Sequence, residues 1–573
     1  MAGREGLGGY LADREWMARV LDQTYANMNE LAEISRYPFP VDENGRQIRR
    51  GLQGPEYMRR MRVRVRRAGV RVLDHSPVTE LLADGAGAVA GAAGYHLRAD
   101  RPFRVRAGAV VLATGGCAFL SRALGCDVNT GDGALFAAEA GAELSGMEFS
   151  NAYAIAPAFT SVTKTAFYSF ATFYRADGTV LEGAGSRKGR SVIARTLLSE
   201  PVLCRIDRAT PEDQRAMRLA QANFFLPFDR QGIDPFTDLF PVTLLAEGTV
   251  RGTGGIRLTG PECSTSVPGL YAAGDAATRE LVCGGFTGGG SHNAAWAMSS
   301  GTWAGQGAAR YAARLGGRAG ERAVRALGEA GLRPAGPATG GHADHVAAVQ
   351  AEVLPYEKNL LRHGDRLTPA LDALDRTWRE LRGTLREEGA GVVRARSAAA
   401  MAAHARWMYN AALARTETRG MHKRQDLPDQ DPAQHRRLVT GGLDEVWTRP
   451  EAGAPGGGVV IEIVSRERCI ACDKCIEVCP TNVFDRGADG FPVIARQSDC
   501  QTCFMCEAYC PVDALFVDPR SHALPEPPDE AALAADGALG TYRAQIGWGR
   551  GRTPGAKLAV GPSLDRAGPR LTS

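Results

Sequence analysis

The sequence predicts an α/β protein of several domains that ends in a small α+β domain. An apolar run at residues 109–113 is followed by Gly115-Gly116, the form that a parallel strand takes where its carboxyl end meets a ligand. A second run at residues 269–275 ends in Gly-Asp, and cysteines crowd the stretch from Cys469 to Cys510. With 573 residues and 44% hydrophobic composition, the chain can bury several cores, so we expect three or four domains.

The charge balance gives no argument for nucleic acid. Lys+Arg 68 against Asp+Glu 64 leaves a formal charge of +4, which is small for this length. The uncharged apolar stretches fall short of the ~20 residues that span a bilayer, and the amino terminus lacks the apolar core of a signal peptide. Eight clustered and five scattered cysteines are typical of a reducing compartment. We therefore expect a cytoplasmic protein with no transmembrane segment.

The amino-terminal part is predicted to hold two helices followed by short strands. Residues 12–36 have an apolar spacing that permits a helix, and residues 54–69 have the pattern of a helix ended by glycine. The ten arginines between residues 46 and 71 form either a solvated surface or a basic face for a partner. Residues 70–73 and 78–82 are predicted as strands.

The middle of the chain mixes strands, helices and glycine-rich turns. The predicted elements are strands at 103–106, 109–113, 252–256 and 269–275, helices at 134–142 and 191–200, a hairpin at 176–178 and a loop at 224–241. Five glycines in residues 284–290 precede a helix that begins near Ser291. Such a turn presents backbone N–H groups and a positive helix end to an anion, and a plain loop is the alternative.

The last third is predicted to be helical, then cysteine-rich. Residues 315–343 have the composition of a linker, and residues 346–415 that of an antiparallel helical bundle. A domain boundary is expected at 450–458, where glycine and proline concentrate. Residues 523–573 have the bias of a weakly ordered tail, with 539–548 as a segment able to dock.

The cysteine run predicts two iron–sulfur clusters. The pattern C-x2-C-x2-C-x3-C-P occurs twice, at Cys469, Cys472, Cys475 and Cys479, and again at Cys500, Cys503, Cys506 and Cys510. Four thiolates close a [4Fe-4S] cube, and in this pattern the fourth cysteine of each run ligates the other run's cluster. We therefore group the first three cysteines of one run with Cys510, and those of the other with Cys479. Zinc sites and disulfide scaffolds do not explain a doubled run with proline after each fourth cysteine.

Two family resemblances follow from these motifs. The cysteine segment resembles the bacterial two-cluster ferredoxins. Residues from about 50 to 450 resemble the fumarate reductase and succinate dehydrogenase flavoprotein family, to which L-aspartate oxidase and adenylylsulfate reductase also belong. The matching motifs, in family order, are V-V-L-A-T-G-G at 110–116, T-G-D-G at 130–133, P-G-L-Y-A-A-G-D at 268–275, G-S-H-N at 290–293 and R-T-E-T-R-G-M-H-K-R-Q-D-L-P at 415–428.

The flavoprotein resemblance implies the fold class and the cofactors. It implies an α/β protein with an incomplete FAD-binding Rossmann-like domain, an inserted α+β capping domain, a helical domain and a C-terminal α+β ferredoxin domain. The implied cofactors are non-covalent FAD and two [4Fe-4S] clusters. The residues that match the family's FAD motifs are Thr114, Gly115, Gly116, Gly131, Asp132, Gly274, Asp275, Gly290, Ser291 and Asn293.

The amino terminus departs from the family pattern. The family begins with a strand, a G-x-G-x-x-G turn and a helix that hold the FAD pyrophosphate on backbone amides. Gly6-Leu7-Gly8-Gly9 is no such fingerprint, because it follows no strand. Either the start of the coding sequence is misplaced, or the ADP half of FAD has no cradle in this polypeptide.

The substrate residues depart as well. The family uses one arginine as a proton shuttle and clamps substrate carboxylates with a histidine and a second arginine. Gly189 to Arg195 resembles the family's R-D-x-V-x-R segment, which makes Arg190 the candidate shuttle. The other two positions carry different residues, so fumarate or succinate turnover is not supported, and Arg251 or His292 is the candidate replacement. A structural role for Arg190 and His292 is the open alternative.

The resulting hypothesis is a flavin and iron–sulfur oxidoreductase acting on a small anionic substrate, with an external electron-transfer protein as partner. A sulfur-compound reduction like that of adenylylsulfate reductase is one variant. The alternative is a non-catalytic electron-transfer module on a degenerate flavoprotein scaffold. The expected domains are a partial FAD-binding domain (1–147), a capping domain (148–249), the second part of the FAD-binding domain (250–315), a helical domain (316–450), a ferredoxin domain (458–520) and a tail (521–573).

Overall fold

The computed structural model describes residues 2–34, 36–39, 41, 44–47, 49, 52, 54–163, 166–186, 189–287, 290–451, 461–497, 500, 503–517 and 528–545. The chain forms two compact units, residues 1–451 and 452–573. Within the described residues, no helix combines the length and the apolarity needed to cross a bilayer.

The first unit contains helices α1 to α15 and strands β1 to β14. The helices are, in order, Ala2–Leu7, Arg14–Glu33, Gly54–Arg67, Asp132–Glu139, Arg190–Leu197, Pro211–Ala220, Ala222–Gln231, Gly248–Arg251, Glu280–Cys283, Gly290–Leu315, Arg318–Glu321, His342–Val353, Tyr356–Asn359, Gly364–Thr384 and Gly391–Ala414. The strands are Val78–Asp84, Val89–His96, Arg101–Arg106, Val110–Leu112, Leu144–Ser145, Ala152–Pro157, Thr172–Tyr174, Val202–Arg205, Phe240–Glu247, Gly255–Ile256, Leu270–Ala272, Val324–Ala326, Leu438–Gly441 and Trp447–Pro450. Short 3-10 helices lie at Met147–Phe149, Phe167–Phe170, Gly274–Ala276 and Pro432–Gln434.

The two glycine-ended strands pair with each other. β4 and β11 are parallel neighbours, with Val110 opposite Leu270 and Leu112 opposite Ala272. Their carboxyl ends therefore lie side by side, as the sequence pattern predicts. Helix α10 packs on this pair and on α2. The Trp16 ring lies 6.0 Å from that of Trp296, in an edge-to-face contact.

An antiparallel sheet of order β12-β1-β2-β3 adjoins this pair. Two predictions for this region are wrong. Residues 70–73 form no strand; Val70, Val72 and Leu73 are exposed, so no packed face holds them in a sheet. The segment 315–343 is not a plain linker, because it contains α11 and β12, and β12 pairs with β1. The Arg322 guanidinium, 3.0 Å from Asp84, ties this segment to the sheet.

A second antiparallel sheet, of order β6-β9-β8-β7, has its own hydrophobic core. The predicted hairpin at 176–178 is present, with the Arg175 amide donating to the Thr179 carbonyl. The loop predicted at 224–241 is wrong over its first part, which belongs to helix α7 despite Pro227 in its interior. Phe224, Phe225 and Phe228 are fully buried, and this burial outweighs the backbone hydrogen bond that proline removes.

Helices α12, α14 and α15 pack together as the predicted helical region. Helix α15 is buried on nearly every side, because its many alanines let neighbouring elements approach closely. A third sheet has the order β10-β5-β13-β14. In it, β13 and β14, which follow the helical region, join β5 and β10 from earlier in the chain.

The second unit contains helices α16 to α19 and strands β15 to β18. The helices are Lys474–Val478, Met505–Tyr509, Glu530–Ala535 and Thr541–Gln545, and the strands are Ile461–Val464, Phe484–Arg486, Pro492–Ile494 and Leu515–Val517. β15 pairs with β18, and β16 with β17. The predicted weakly ordered tail lies outside the described residues, apart from 528–545.

Candidate functional site

The end of strand β4 opens onto the predicted cofactor site. Thr114 is exposed although it follows a core strand, and Gly115 has a positive φ of 78°. A Cβ atom on Gly116 would lie 2.9 Å from the Val250 nitrogen, so only glycine lets the 249–250 backbone approach. β4 therefore ends directly against the segment that carries Arg251.

The turn before helix α4 is fixed by hydrogen bonds to the Asp132 carboxylate and by contact with α15. Gly131 is the N-terminal cap of α4 in the left-handed conformation, with φ of 86°. The Asp132 carboxylate accepts hydrogen bonds from the hydroxyls of Thr130 and Ser397. This turn lies against α15, since a Cβ on Gly131 would meet His404 Nδ1 at 3.1 Å.

The end of strand β11 is fixed to helix α10. The Gly274 nitrogen donates to Ser300 Oγ at 2.9 Å, and Trp296 Nε1 donates to the Gly274 carbonyl at 2.9 Å. A Cβ on Gly274 would have Ala297 as its nearest neighbour, at 3.9 Å, so this face of the backbone is uncrowded. The end of β11 is therefore fixed to α10 by two hydrogen bonds, while the space beside Gly274 is left open.

Asp275 follows in a charged, half-buried setting. Its carboxylate pairs with Arg279, whose side chain is 1% exposed. Burial raises the pKa of the Asp275 carboxyl, while Arg279 and Arg251 act against that rise. Arg279 also donates to the carbonyls of Val250 and Gly252. The sequence argument missed Arg279, because the chain is extended at Ala277 and no helical spacing links Arg279 to Asp275.

The predicted residues of helix α10 lie in its first turn. Gly290 and Ser291 begin the helix, followed by half-buried His292 and Asn293. Asn293 Oδ1 is buried and accepts no hydrogen bond from the described residues. Gly288 and Gly289 lie outside the described residues.

Glu247 lies beside one predicted arginine, Arg251, and its charge acts on the other, Arg190. Arg190 begins α5 and donates to the Tyr153 carbonyl at 2.6 Å. Burial lowers the pKa of Arg190, and the charge of Glu247 acts against this. Glu247, at the end of β9, lies 4.0 Å from Arg251 Nε and accepts a hydrogen bond from Thr163 at 2.8 Å. Nothing in the sequence pattern singled out Glu247.

Two further carboxylates lie buried beneath this region. Glu148 and Glu280 are both 0% exposed. Glu148 Oε1 pairs with Arg415 at 2.7 Å, and Glu280 accepts a hydrogen bond from Ser145. Burial and the charge of Glu148 raise the pKa of Glu280 to about 8. The sequence argument gave neither glutamate a role in the site, because burial of a glutamate leaves no local pattern.

The eight cysteines of the second unit surround two cavities. One is lined by Cys500, Cys503, Cys506 and Cys479, and the other by Cys469, Cys472, Cys475 and Cys510. These are the crossed groups that the doubled pattern predicts. Within the described part of the chain, no three metal-binding side chains come together tightly enough for a single metal ion. Four cysteines around each cavity supply the four thiolates that a [4Fe-4S] cluster needs.

The two cysteine runs have matching backbone geometry. The Val483 nitrogen donates to Cys479 Sγ at 3.3 Å, and the Ala514 nitrogen donates to Cys510 Sγ at 3.2 Å. The left-handed residues Asn482 and Asp513 each lie three positions after the fourth cysteine of a run. Each run therefore offers its last sulfur a backbone N–H donor at the same place.

Burial keeps some of these thiols protonated in the absence of a positive charge. It raises the pKa of Cys475 to about 11 and that of Cys506 further. Thiolates are the metal-binding form, so the charge of bound iron must supply the stabilisation that burial removes.

Three family models match the chain. The FAD binding domain matches residues 8–160, the fumarate reductase flavoprotein C-terminal domain matches 353–443, and the 4Fe-4S dicluster domain matches 461–511. An L-aspartate oxidase from Streptomyces coelicolor is 30% identical over 430 residues, which are 68% of this chain and 70% of that protein. The chain belongs to the fumarate reductase and succinate dehydrogenase flavoprotein family. Its second unit carries a 4Fe-4S dicluster domain.

Solved structures of this flavoprotein family share the fold. A quinol fumarate reductase subunit from E. coli has a TM-score of 0.62 at 18% identity, covering 78% of this chain and 85% of that one. Adenylylsulfate reductase from Archaeoglobus fulgidus has a TM-score of 0.59 at 16% identity, covering 78% and 84%. FAD and iron–sulfur clusters are thus the cofactors of the domains that this flavoprotein contains.

Buried polar atoms test whether FAD fits the first unit. Ser150 Oγ, Thr253 Oγ1 and Arg279 Nε are buried without a hydrogen-bond partner among the described residues. Their segments interlock, since the Arg279 nitrogen donates to the Thr253 carbonyl at 2.8 Å and a Cβ on Gly254 would lie 2.6 Å from Ser150 Oγ. Each such atom costs about 1–3 kcal/mol when unpaired, so a polar ligand beside the strand ends fits these residues.

Proposed function

We propose that this flavoprotein couples two [4Fe-4S] clusters to two-electron flavin chemistry on a small anionic substrate. The observation that carries the proposal is the approach of Arg251 to Glu247, whose charge also acts on the enclosed Arg190, while Arg251 acts on Asp275. Arg279, which pairs with Asp275 and donates to the carbonyls of Val250 and Gly252, thereby ties the segment of Arg251 to the end of β11, whose sequence matches a flavin motif of the family. We further propose the domain boundaries and the FAD-binding residues predicted above.

In this proposal the two arginines have different tasks. Arg251 is partly exposed, with 39% of its side chain accessible, which suits a group that binds a substrate anion. Arg190 is more enclosed, and burial lowers its pKa, which eases loss of a proton from a guanidinium. Arg190 therefore suits proton transfer at the reacting carbon or heteroatom. Bound FAD would supply the acceptor or donor of the electron pair.

Glu247 narrows the class of anion. Glu247 is 7% exposed, lies 4.0 Å from Arg251 and acts on Arg190 through its charge, so it offsets part of the positive charge of both arginines and repels a second carboxylate placed nearby. A substrate anion that also carries a cationic or neutral group able to lie beside Glu247 fits this arrangement better than a symmetric dicarboxylate without such a group. L-Aspartate and adenylylsulfate, named by the relatives, are the first substrates to try, with fumarate as the comparison.

The first experiment is the cofactor content of anaerobically purified protein, by acid release and fluorescence for FAD and by iron analysis. About one FAD and about eight iron atoms per chain support the proposal. The holoprotein is then mixed with each substrate while flavin absorbance is followed. Eight irons without FAD would favour the alternative, a non-catalytic electron carrier; FAD that no anion oxidises or reduces would contradict the substrate assignment.

A further inference from the structure

A short helix near the carboxyl terminus packs on the cysteine domain. Helix α19 follows Gly540, whose φ of 80° is left-handed and whose missing side chain allows close approach to Asp513. A Cβ at this glycine would lie 2.7 Å from Asp513 Oδ1. The docking predicted for residues 539–548 is therefore seen for its described part, up to residue 545. The cluster motif does not require such a helix.

Arg543 of this helix reaches one of the two cysteine groups. Its Nη1 donates to the Cys510 carbonyl at 2.7 Å and lies 3.3 Å from Asp513 Oδ1. The Arg543 side chain is only 15% exposed, so solvent screens its charge weakly. Cys510 lines the cavity shared with Cys469, Cys472 and Cys475.

Tyr542, one residue earlier, packs on a ring that lines the other group's cavity. Its ring lies 5.1 Å from that of Phe504, at an interplanar angle of 34°. Phe504 follows Cys503 directly and lines the cavity of Cys500, Cys503, Cys506 and Cys479. Adjacent residues of one helix thus approach different cysteine groups, one with a charge and one with an apolar ring.

We propose that α19 sets the reduction potentials of the two clusters separately. Reduction adds negative charge, so a nearby guanidinium stabilises the reduced state and raises the potential of the cluster held with Cys510. The Tyr542 ring keeps water from the other cluster; because water dipoles also stabilise the reduced state, this shielding lowers that cluster's potential. Arg543 and Tyr542 are positioning residues, and the proposal rests on the crossed cysteine groups.

The test is a redox titration of the full-length protein, followed by electron paramagnetic resonance so that the two clusters are resolved. Arg543→Met should lower the potential of the Cys510 cluster and leave the other unchanged. Tyr542→Ala should raise the potential of the Phe504 cluster, whereas Tyr542→Phe, which keeps the ring, should leave it at the wild-type value. Asp513→Asn should shift the Cys510 cluster in the direction opposite to Arg543→Met.

Arg466→Met is the matched control. Arg466 pairs with Asp489 at 2.8 Å, and neither residue lines either of the two cysteine cavities. Both reduction potentials should therefore keep their wild-type values. If Arg543→Met loses iron, Arg543→Lys keeps the charge and should keep the potential. Unchanged potentials in Arg543→Met and Tyr542→Ala, or equal shifts of both clusters, would overturn the proposal. Iron content of each variant separates this outcome from a failure of the two-cluster assignment.

Discussion

Arg279 is buried and pairs with Asp275, four residues earlier in the chain, and the same guanidinium donates to the carbonyl of Gly252. One side chain therefore joins the acid at the end of β11 to the loop that carries Arg251. Since Asp275 matches the family's flavin-contacting acid and Arg251 is the proposed substrate ligand, Arg279 ties the two halves of the site together.

Arg279→Met should weaken flavin retention. It leaves the Asp275 carboxylate and two carbonyl groups without their donor, and breaking a buried ion pair costs about 3 kcal/mol or more. We expect lower FAD content. Iron content should be unchanged, because the eight cysteines proposed to bind the clusters lie in the other unit. Asp275→Ala should also lose FAD and keep its iron.

The matched control for this substitution is Arg310→Met. Arg310 pairs with Glu262 on the surface, with 52% of its side chain exposed, so its loss should change stability by no more than about 0.5 kcal/mol. If Arg310→Met lowers FAD content as much as Arg279→Met does, Arg279 has no special place in the site.

Sequence reasoning succeeded where a local pattern carries the information. The glycine-ended strands, the long helices and the cysteine groups all have short-range signatures. It failed where distant pairing decides, as in β12, which becomes a strand only because β1 offers an edge. It also failed at α7, where Pro227 suggested a loop but three buried phenylalanines favour a helix.

The candidate site shows the same division. Arg190, Arg251 and Asp275 were singled out by resemblance to family motifs. Glu247, Arg279 and Glu280 owe their place to burial and to partners far along the chain, such as Thr163 for Glu247. A single sequence does not record such pairings, so only the fold could reveal these residues.

The buried carboxyl of Glu280 predicts a pH-dependent stability of the first unit. Its pKa is raised from 4.5 to about 8 by burial and Glu148, against the opposing charges of Arg437 and Arg415. Because the folded state holds this proton more tightly than the unfolded chain, its contribution is complete below about pH 4.5 and is lost as the pH rises through 8. Glu280→Gln, which stays neutral, should flatten this dependence and unfold at a higher temperature than wild type at pH 8.5 or so.

Tryptophan fluorescence during thermal unfolding measures this effect, because six of the seven tryptophans lie in the first unit. Glu262→Gln, at an exposed carboxylate, is the comparison and should keep the wild-type slope. A Glu280→Gln variant whose midpoint varies with pH as steeply as that of wild type would show that Glu280 is ionised in the folded protein.

Single cysteine substitutions test the crossed groups. Cys479→Ser should damage the cluster whose other ligands are Cys500, Cys503 and Cys506, although Cys479 belongs to the first run. Cys510→Ser should damage the other cluster. Cys472→Ser should match Cys510→Ser in its resonance spectrum and leave flavin in place. If the spectrum of Cys479→Ser matches that of Cys472→Ser instead, each run ligates its own cluster.

Substitution of the two arginines separates chemistry from binding. Arg190→Gln removes the enclosed guanidinium proposed to move a proton, and loss of a proton-transfer group costs about 10²- to 10⁴-fold in rate. The rate of flavin reduction or reoxidation at saturating substrate should fall by that factor. Arg251→Gln removes a partly exposed charge, so KM should rise by about tenfold while kcat changes little.

Arg175→Gln is the control from the same capping region. Arg175 pairs with Glu200 at 2.6 Å on the surface, 48% of its side chain is exposed, and it should affect neither constant. An Arg190→Gln variant with wild-type kcat would assign Arg190 a structural role, held by its bond to the Tyr153 carbonyl. A loss of kcat marks a group that acts in the transition state. If kcat falls as much for Arg251→Gln as for Arg190→Gln, the assignment of proton transfer to Arg190 rather than Arg251 is wrong.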